Sequence, residues 1–165
     1  MHEPLPKRKH PRLKSYDYSN TGAYFITICA YQKKCLFGTF GRDHTRSELI
    51  LSQFGKIAEQ QLLALSSRYP GLSVDYYVIM PNHIHAIFVL DGKSAGASHR
   101  PAVTDIVCAF KSLTTRECKQ FKEIDRIFQT SFYEHIIRNQ DDYDEVAKYI
   151  IENPLKWQMD KLYRE

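Results

Sequence analysis

Residues 72–90 read L-S-V-D-Y-Y-V-I-M-P-N-H-I-H-A-I-F-V-L. Two runs rich in β-branched and aromatic residues, Leu72–Met80 and His83–Leu90, flank Pro81-Asn82. Such runs favour strands, and the short break between them predicts an antiparallel pair. Strand side chains alternate, so His83 and His85 leave one face while Ile84, Ala86, Phe88 and Leu90 leave the other. The imidazoles then stand about 7 Å apart along the backbone, within reach of one divalent ion. Two histidines do not make a closed structural zinc site, and a site with so few protein ligands leaves positions for substrate oxygens. An H-x-H by itself is more often a pair of hydrogen-bonded histidines with no metal role.

Working outward, Ala23–Tyr31 (A-Y-F-I-T-I-C-A-Y) reads as a buried strand. A turn and short strand are expected over Leu36–Gly41, with Glu48–Leu51 as its short partner. Ser52 is placed to N-cap a helix reaching about Ser67, since Phe54, Ile57, Ala58, Leu62 and Leu65 keep helical spacing. Beyond residue 90, Asp91–Ser98 is small and polar and reads as a mobile loop. Pro101 suits the first turn of a second helix with an apolar stripe of Val103, Ile106, Val107, Phe110 and Leu113. Arg126–Tyr133 is aromatic and reads as a short strand or loop. Interleaved strands and helices, with no repeat or composition break after residue 22, predict one α+β domain over 23–165 with an antiparallel sheet.

The chain has 165 residues and a net charge of +4. Five of its 23 basic residues (Lys7, Arg8, Lys9, Arg12 and Lys14) and one of its 19 acidic residues fall within the first 14, leaving 18 of each behind. The excess charge is therefore a basic arm, residues 1–22, in front of a neutral body. Such an arm suits a phosphate backbone, because neutralised phosphates release counterions. No apolar run approaches the roughly 18 residues that span a membrane, and no apolar segment follows the N-terminal charges as in a signal peptide. Cys29, Cys35, Cys108 and Cys118 form no C-x-x-C pair, so reduced thiols in the cytoplasm are expected.

The last helix is expected to start at a cap on Asp141 or Asp142 and to stop near Pro154. Tyr143, Val146, Ala147 and Ile150 form its apolar stripe. Tyr149 lies at the edge of that stripe, able to lean into a cleft and still reach solvent. Asn153 follows one turn later on the same face. A tyrosine oxygen is a competent nucleophile toward a held phosphate, and an amide oxygen can ligate a metal. A wetted boundary tyrosine and a helix-end asparagine are the plainer reading of the same two residues.

Three stretches together carry a resemblance. Met80-Pro81-Asn82-His83-Ile84-His85 resembles the HUH motif of single-tyrosine transposases, in which U is a bulky apolar residue. Tyr133-Glu134-His135-Ile136-Ile137-Arg138-Asn139 and Tyr149-Ile150-Ile151-Glu152-Asn153-Pro154 resemble the end of REP-associated tyrosine transposases. Arg12–Ser19 and Ala23–Thr27 resemble that family's opening. The resemblance implies a ferredoxin-like sandwich carrying the HUH strand in its sheet. It implies Mg²⁺ or Mn²⁺ on His83, His85 and Asn153, and Tyr149 as nucleophile on single-stranded hairpin DNA. The reaction would pass through a 5′-phosphotyrosine link, without a nucleotide cofactor. Phe128-Gln129 departs from the Trp-Gln expected in the family, which puts local packing rather than chemistry in doubt.

Conditional on that resemblance, Lys111, Arg116 and Arg138 join the basic arm as candidate DNA contacts, and Tyr16 and Tyr18 as candidate base-stacking residues. A homodimer, with the tyrosine acting within one subunit or across two, is compatible with the sequence. Two other classes compete with the transesterase. One is a domesticated module that binds hairpin DNA without cutting it. The other is a histidine-triad hydrolase, which would need a histidine where Ile87 stands.

Overall fold

The computed structural model describes residues 21–41, 48–91 and 101–164. The basic arm with Lys7, Arg8, Lys9, Arg12, Lys14, Tyr16 and Tyr18, and nearly all of the expected 91–98 loop, lie outside the described residues. Strand β1 spans Gly22–Cys29, β4 Leu72–Ile79, β5 His83–Leu90 and β6 Tyr133–Ile137. They form one antiparallel sheet in the order β4-β5-β1-β6. Read from the β6 edge, the four strands come in the chain order fourth, first, third, second, which is the ferredoxin-like arrangement. A separate hairpin pairs β2 (Gly38–Phe40) with β3 (Leu49–Leu51).

Helices α1 (Gln53–Leu63), α2 (Leu65–Arg68) and α3 (Val103–Phe121) cover one face of the sheet. The main core there joins Tyr24, Ile26, Ile28, Ile84, Ala86 and Phe88 of the strands to Ile57, Leu62, Val107 and Phe110 of the helices. Helix α4 (Gln140–Glu152) covers part of the other face, where Ala147 and Ile150 bury against Phe25, Ile87 and Ile137. The histidine face of β5 is thus chemical at its start and apolar further on. No helix among the described residues is long and apolar enough to cross a membrane. All four cysteines are free thiols.

Ser52 caps α1, its hydroxyl accepting from the Gly55 N–H at 3.1 Å and donating to the Leu36 carbonyl at 2.6 Å. Gly55 is required here because a Cβ would collide with the Phe37 carbonyl. Gly55→Ala should lower stability by about 1–3 kcal/mol, as overpacking does. Urea unfolding checks this, and an unchanged midpoint would contradict the packing.

The structure corrects several local expectations. Pro101 precedes the α3 cap at Ala102 instead of sitting in the first turn. Asn139, not Asp141 or Asp142, caps α4; its side-chain oxygen accepts from the Asp142 N–H at 2.9 Å. Of the two alternatives for Arg126–Tyr133, loop holds for most of it, with an isolated bridge from Phe128 to Ala30 just after β1, and the strand begins only at Tyr133, as β6. Helix α4 ends at Glu152, as expected near Pro154, but the chain continues at once into a 3₁₀ segment, Asn153–Met159, that folds it back over the histidines. Pro154 suits the first turn of that segment because its missing N–H has no partner to lose there. A register shift in β4 between Val74 and Tyr77 leaves Asp75 and Tyr76 exposed beside α4.

Candidate active site

His83 opens β5, opposite Cys29, and His85 lies opposite Thr27. Both imidazoles are buried, with ring centroids 4.5 Å apart. The turn before them is fixed by its backbone: Met80 N–H donates to the His83 carbonyl, Phe37 N–H to that of Pro81 and Ala30 N–H to that of Asn82. The Asn82 amide nitrogen donates to the Lys33 and Leu162 carbonyls, at 3.2 and 2.7 Å. Its oxygen must then face His83 Nδ1, 2.8 Å away, which makes that nitrogen the protonated one. His83 Nε2 keeps a lone pair directed into the site, and it has no hydrogen-bond partner there. On His85, Nδ1 meets the Thr27 hydroxyl at 2.8 Å. With Nδ1–H donating to Thr27, Nε2 also keeps its lone pair.

Helix α4 and the 3₁₀ segment close the site. Tyr149, 45% exposed, brings its hydroxyl to 3.4 Å from His85 Nε2. This is long for a hydrogen bond, so the phenol stands beside the nitrogen without being clamped to it. Asn153 is buried one turn later; its amide donates to Asp160 at 2.9 Å, and its Oδ1 has no hydrogen-bond partner. Asp160 places one carboxylate oxygen 3.9 Å from His83 Nε2 and is braced by the Leu162 N–H at 2.7 Å. Trp157 covers His83, ring to ring at 5.9 Å, and stacks on Phe40. A cleft of about 390 Å³, lined by Tyr149, Asn153, Lys156 and Asp160 among others, opens beside the phenol.

Burial pushes the His83 imidazole down to about 4, against the opposing pull of the Asp160 carboxylate. Burial and the neighbouring His83 hold His85 well below the usual histidine range. Both rings are neutral at pH 7, the form that ligates metals. Burial and the Asp160 charge raise the Tyr149 phenol, while Asn153 partly offsets them. The depressed histidines also make a stability prediction. Unfolded histidines take up protons below about pH 6.5, while in the fold His83 resists to about 4 and burial holds His85 well below the usual histidine range. Metal-free protein should therefore hold this contribution above about pH 6.5 and lose it as pH falls toward 4. Thermal melts in chelator across that range check it; a flat melting temperature would contradict it.

A divalent ion suits these residues. One atom each from His83, His85 and Asp160 lies within 4.8 Å of the others. Two ligands of one ion at about 2.1 Å cannot be more than about 4.2 Å apart, so the 3.9 Å His83–Asp160 pair already fits and small shifts suffice for the set. The buried, unpartnered His83 Nε2 and Asn153 Oδ1 are what a ligand shell would satisfy.

The sequence-predicted residues His83, His85, Tyr149 and Asn153 thus come together. Three contributors were missed. Asp160 and Trp157 follow Pro154, where the helical pattern ends, and only an aromatic and a carboxylate spaced by three residues hinted at them. Thr27 carried a usable signal as the lone aliphatic hydroxyl in an otherwise apolar strand. Among the other tyrosines, Tyr143 donates to Asp75 at 2.7 Å and is tied to β4. Lys111 and Arg116 line a separate basic cleft of about 550 Å³ with Lys119 and Arg126. The Lys111 ammonium donates to the carbonyls of Gln129 and Thr130. Arg138 sits just before α4, at the opposite end of that helix from Tyr149, and its N–H donates to Asp142.

No family model matches the chain. It is similar to an uncharacterized protein of Haemophilus influenzae, 33% identical over 171 residues, covering 94% of this chain and 93% of the relative. It is also similar to a REP-associated tyrosine transposase of Escherichia coli, 28% identical over 120 residues, covering 73% of this chain and 66% of that one. Among solved structures, a REP-associated tyrosine transposase bound to a REP hairpin superposes with a TM-score of 0.62 at 21% identity, over 88% of this chain and 74% of that one. That likeness speaks for the fold, and the named relative speaks for descent. By sequence and by fold, the chain is a relative of the REP-associated tyrosine transposases.

Proposed function

We propose that the protein cleaves and rejoins single-stranded hairpin DNA through Tyr149, with Mg²⁺ or Mn²⁺ held by His83, His85 and Asp160 or Asn153. The observation that carries this reading is the Tyr149 hydroxyl beside His85 Nε2, at the mouth of a neutral two-histidine site. The phenolic oxygen attacks the scissile phosphorus and loses its proton. The bond from phosphorus to the 3′ oxygen breaks, and that oxygen leaves as a 3′-hydroxyl. One phosphodiester is exchanged for one 5′-phosphotyrosine ester, so no nucleotide cofactor is required. A bound cation would supply charge stabilisation at the phosphate. Thr27 and Asn82 orient the two imidazoles, Trp157 excludes water from His83, and the open side of Tyr149 admits the strand.

Arg116 and Lys119, in the cleft with Lys111, offer contacts for DNA phosphates. Gln129, which lines that cleft, donates its N–H to the Cys29 carbonyl, and Cys29 lies opposite His83, so the cleft borders the same end of β1 as the histidines. Residues 1–22, as a basic arm ahead of a domain over 23–165, and Arg138 extend this set. Tyr149 meets His85 within one chain, so a homodimer is compatible but not required. The free thiols suit the cytoplasm.

The test is incubation with hairpin DNA bearing a single-stranded extension, with Mn²⁺, Mg²⁺ or chelator, read on a denaturing gel. A covalent adduct that needs the metal is expected. Tight binding with no adduct under any condition would overturn cleavage in favour of a non-cleaving hairpin-binding module.

A further inference from the structure

We propose that Tyr133 is the stacking platform for an unpaired base next to the scissile phosphate. This rests on the strand-transfer reading above and adds to it a residue that grips the substrate. Tyr133 opens β6, the edge strand, opposite Thr27, which itself lies opposite His85. Directly opposed residues share a face, so His85, Thr27 and Tyr133 form one row across the sheet. At about 4.8 Å per strand, the Tyr133 backbone stands roughly 10 Å from that of His85. This is the reach of one nucleotide from a phosphate held at Tyr149.

The ring is 54% exposed, on an edge where a polar side chain would cost nothing. It is nevertheless held. Phe25 contacts it nearly edge to face, with centroids 6.4 Å apart, and contacts Tyr149 in the same manner at 6.0 Å. Phe25, 9% exposed, therefore sets the spacing between the nucleophile and a second open aromatic. A ring oriented from below and open to solvent is what base stacking uses, and it serves any base because every base has a π face. The neighbouring row carries His135, whose Nε2 lies 2.9 Å from the Asp142 carboxylate, so the open aromatic surface ends there and the strand is directed along the β6 edge.

The experiment measures binding in Mn²⁺ by fluorescence anisotropy, using Tyr149→Phe protein so that no cleavage intervenes. The probes are a hairpin with a single-stranded extension and the same oligonucleotide with an abasic site moved along that extension. One abasic position should weaken binding about tenfold. Adding Tyr133→Ala should weaken binding to the intact probe by the same factor and remove the penalty of that abasic site. Adding Tyr133→Trp should preserve both affinity and penalty, which a merely structural loss would not allow. Unchanged binding of the intact probe by Tyr133→Ala, or an abasic penalty that persists in it, would overturn the platform. The adduct assay with wild-type protein separates the two ideas. An adduct without Tyr133 coupling removes only the platform, coupling without an adduct removes only the cleavage, and no DNA binding removes both.

Discussion

Tyr149→Phe should abolish the covalent protein–DNA adduct while leaving the fold and hairpin binding in place. The substitution deletes one oxygen from a ring whose edge-on contact with Phe25 needs only the carbon skeleton. It leaves His83, His85, Asn153 and Asp160 untouched, so metal binding should persist. Without that oxygen, no group in the site can form the phosphotyrosine ester. Tyr143 is tied to Asp75 on the far part of α4, and Tyr133 is a strand beyond Thr27. The expected loss is at least about a thousandfold in strand cleavage, the scale on which an essential nucleophile acts. Single-turnover cleavage and melting temperature, measured together, check the result. An unimpaired rate would remove Tyr149 from the mechanism; a large fall in melting temperature would show that its hydroxyl is structural.

The second large effect is on the metal. His83→Ala should abolish measurable Mn²⁺ binding, and Asp160→Asn should weaken it at least about a hundredfold, since even partners one shell further out cost roughly 10–100-fold. Charge holds the ion as well as geometry. Two neutral imidazoles contribute no charge, and Asp160 is the carboxylate that completes the cluster among the described residues. Asn153→Ala should also weaken binding, because Asn153 positions Asp160 through its amide and turns a buried, unpartnered oxygen into the site. Isothermal titration with Mn²⁺ checks all three variants. Wild-type affinity in Asp160→Asn would assign the third ligand to Asn153 alone, as the sequence had suggested.

How far the sequence carried follows from what each residue's neighbours reveal. Strand β5 was legible from end to end because alternation and burial agree: His83 and His85 on one face, Ile84, Ala86 and Phe88 on the other. Helix α4 was legible along its length for the same reason, with its cap misplaced because Asn139, Asp141 and Asp142 are all good capping residues and only geometry chooses among them. Strand β6 was not. Its five residues include Glu134, buried opposite Ile26 in a layer otherwise apolar, and such a residue interrupts the pattern that marks a strand. The site was half legible. Tyr149 and Asn153 share a helix face, so their pairing is local. Asp160 reaches His83 only because a 3₁₀ segment reverses the chain after Pro154, and no periodicity encodes that turn. Thr27 meets His85 through strand register, which sequence alone does not supply.

One phenol, on Tyr149, is expected to carry the DNA. The adduct formed with hairpin DNA and Mn²⁺ should be isolated, digested with nuclease and protease, and its modified peptide sequenced by mass spectrometry. The phosphate is expected on Tyr149 alone. A phosphate on Tyr133, on Tyr143 or on any residue outside α4 would contradict the account.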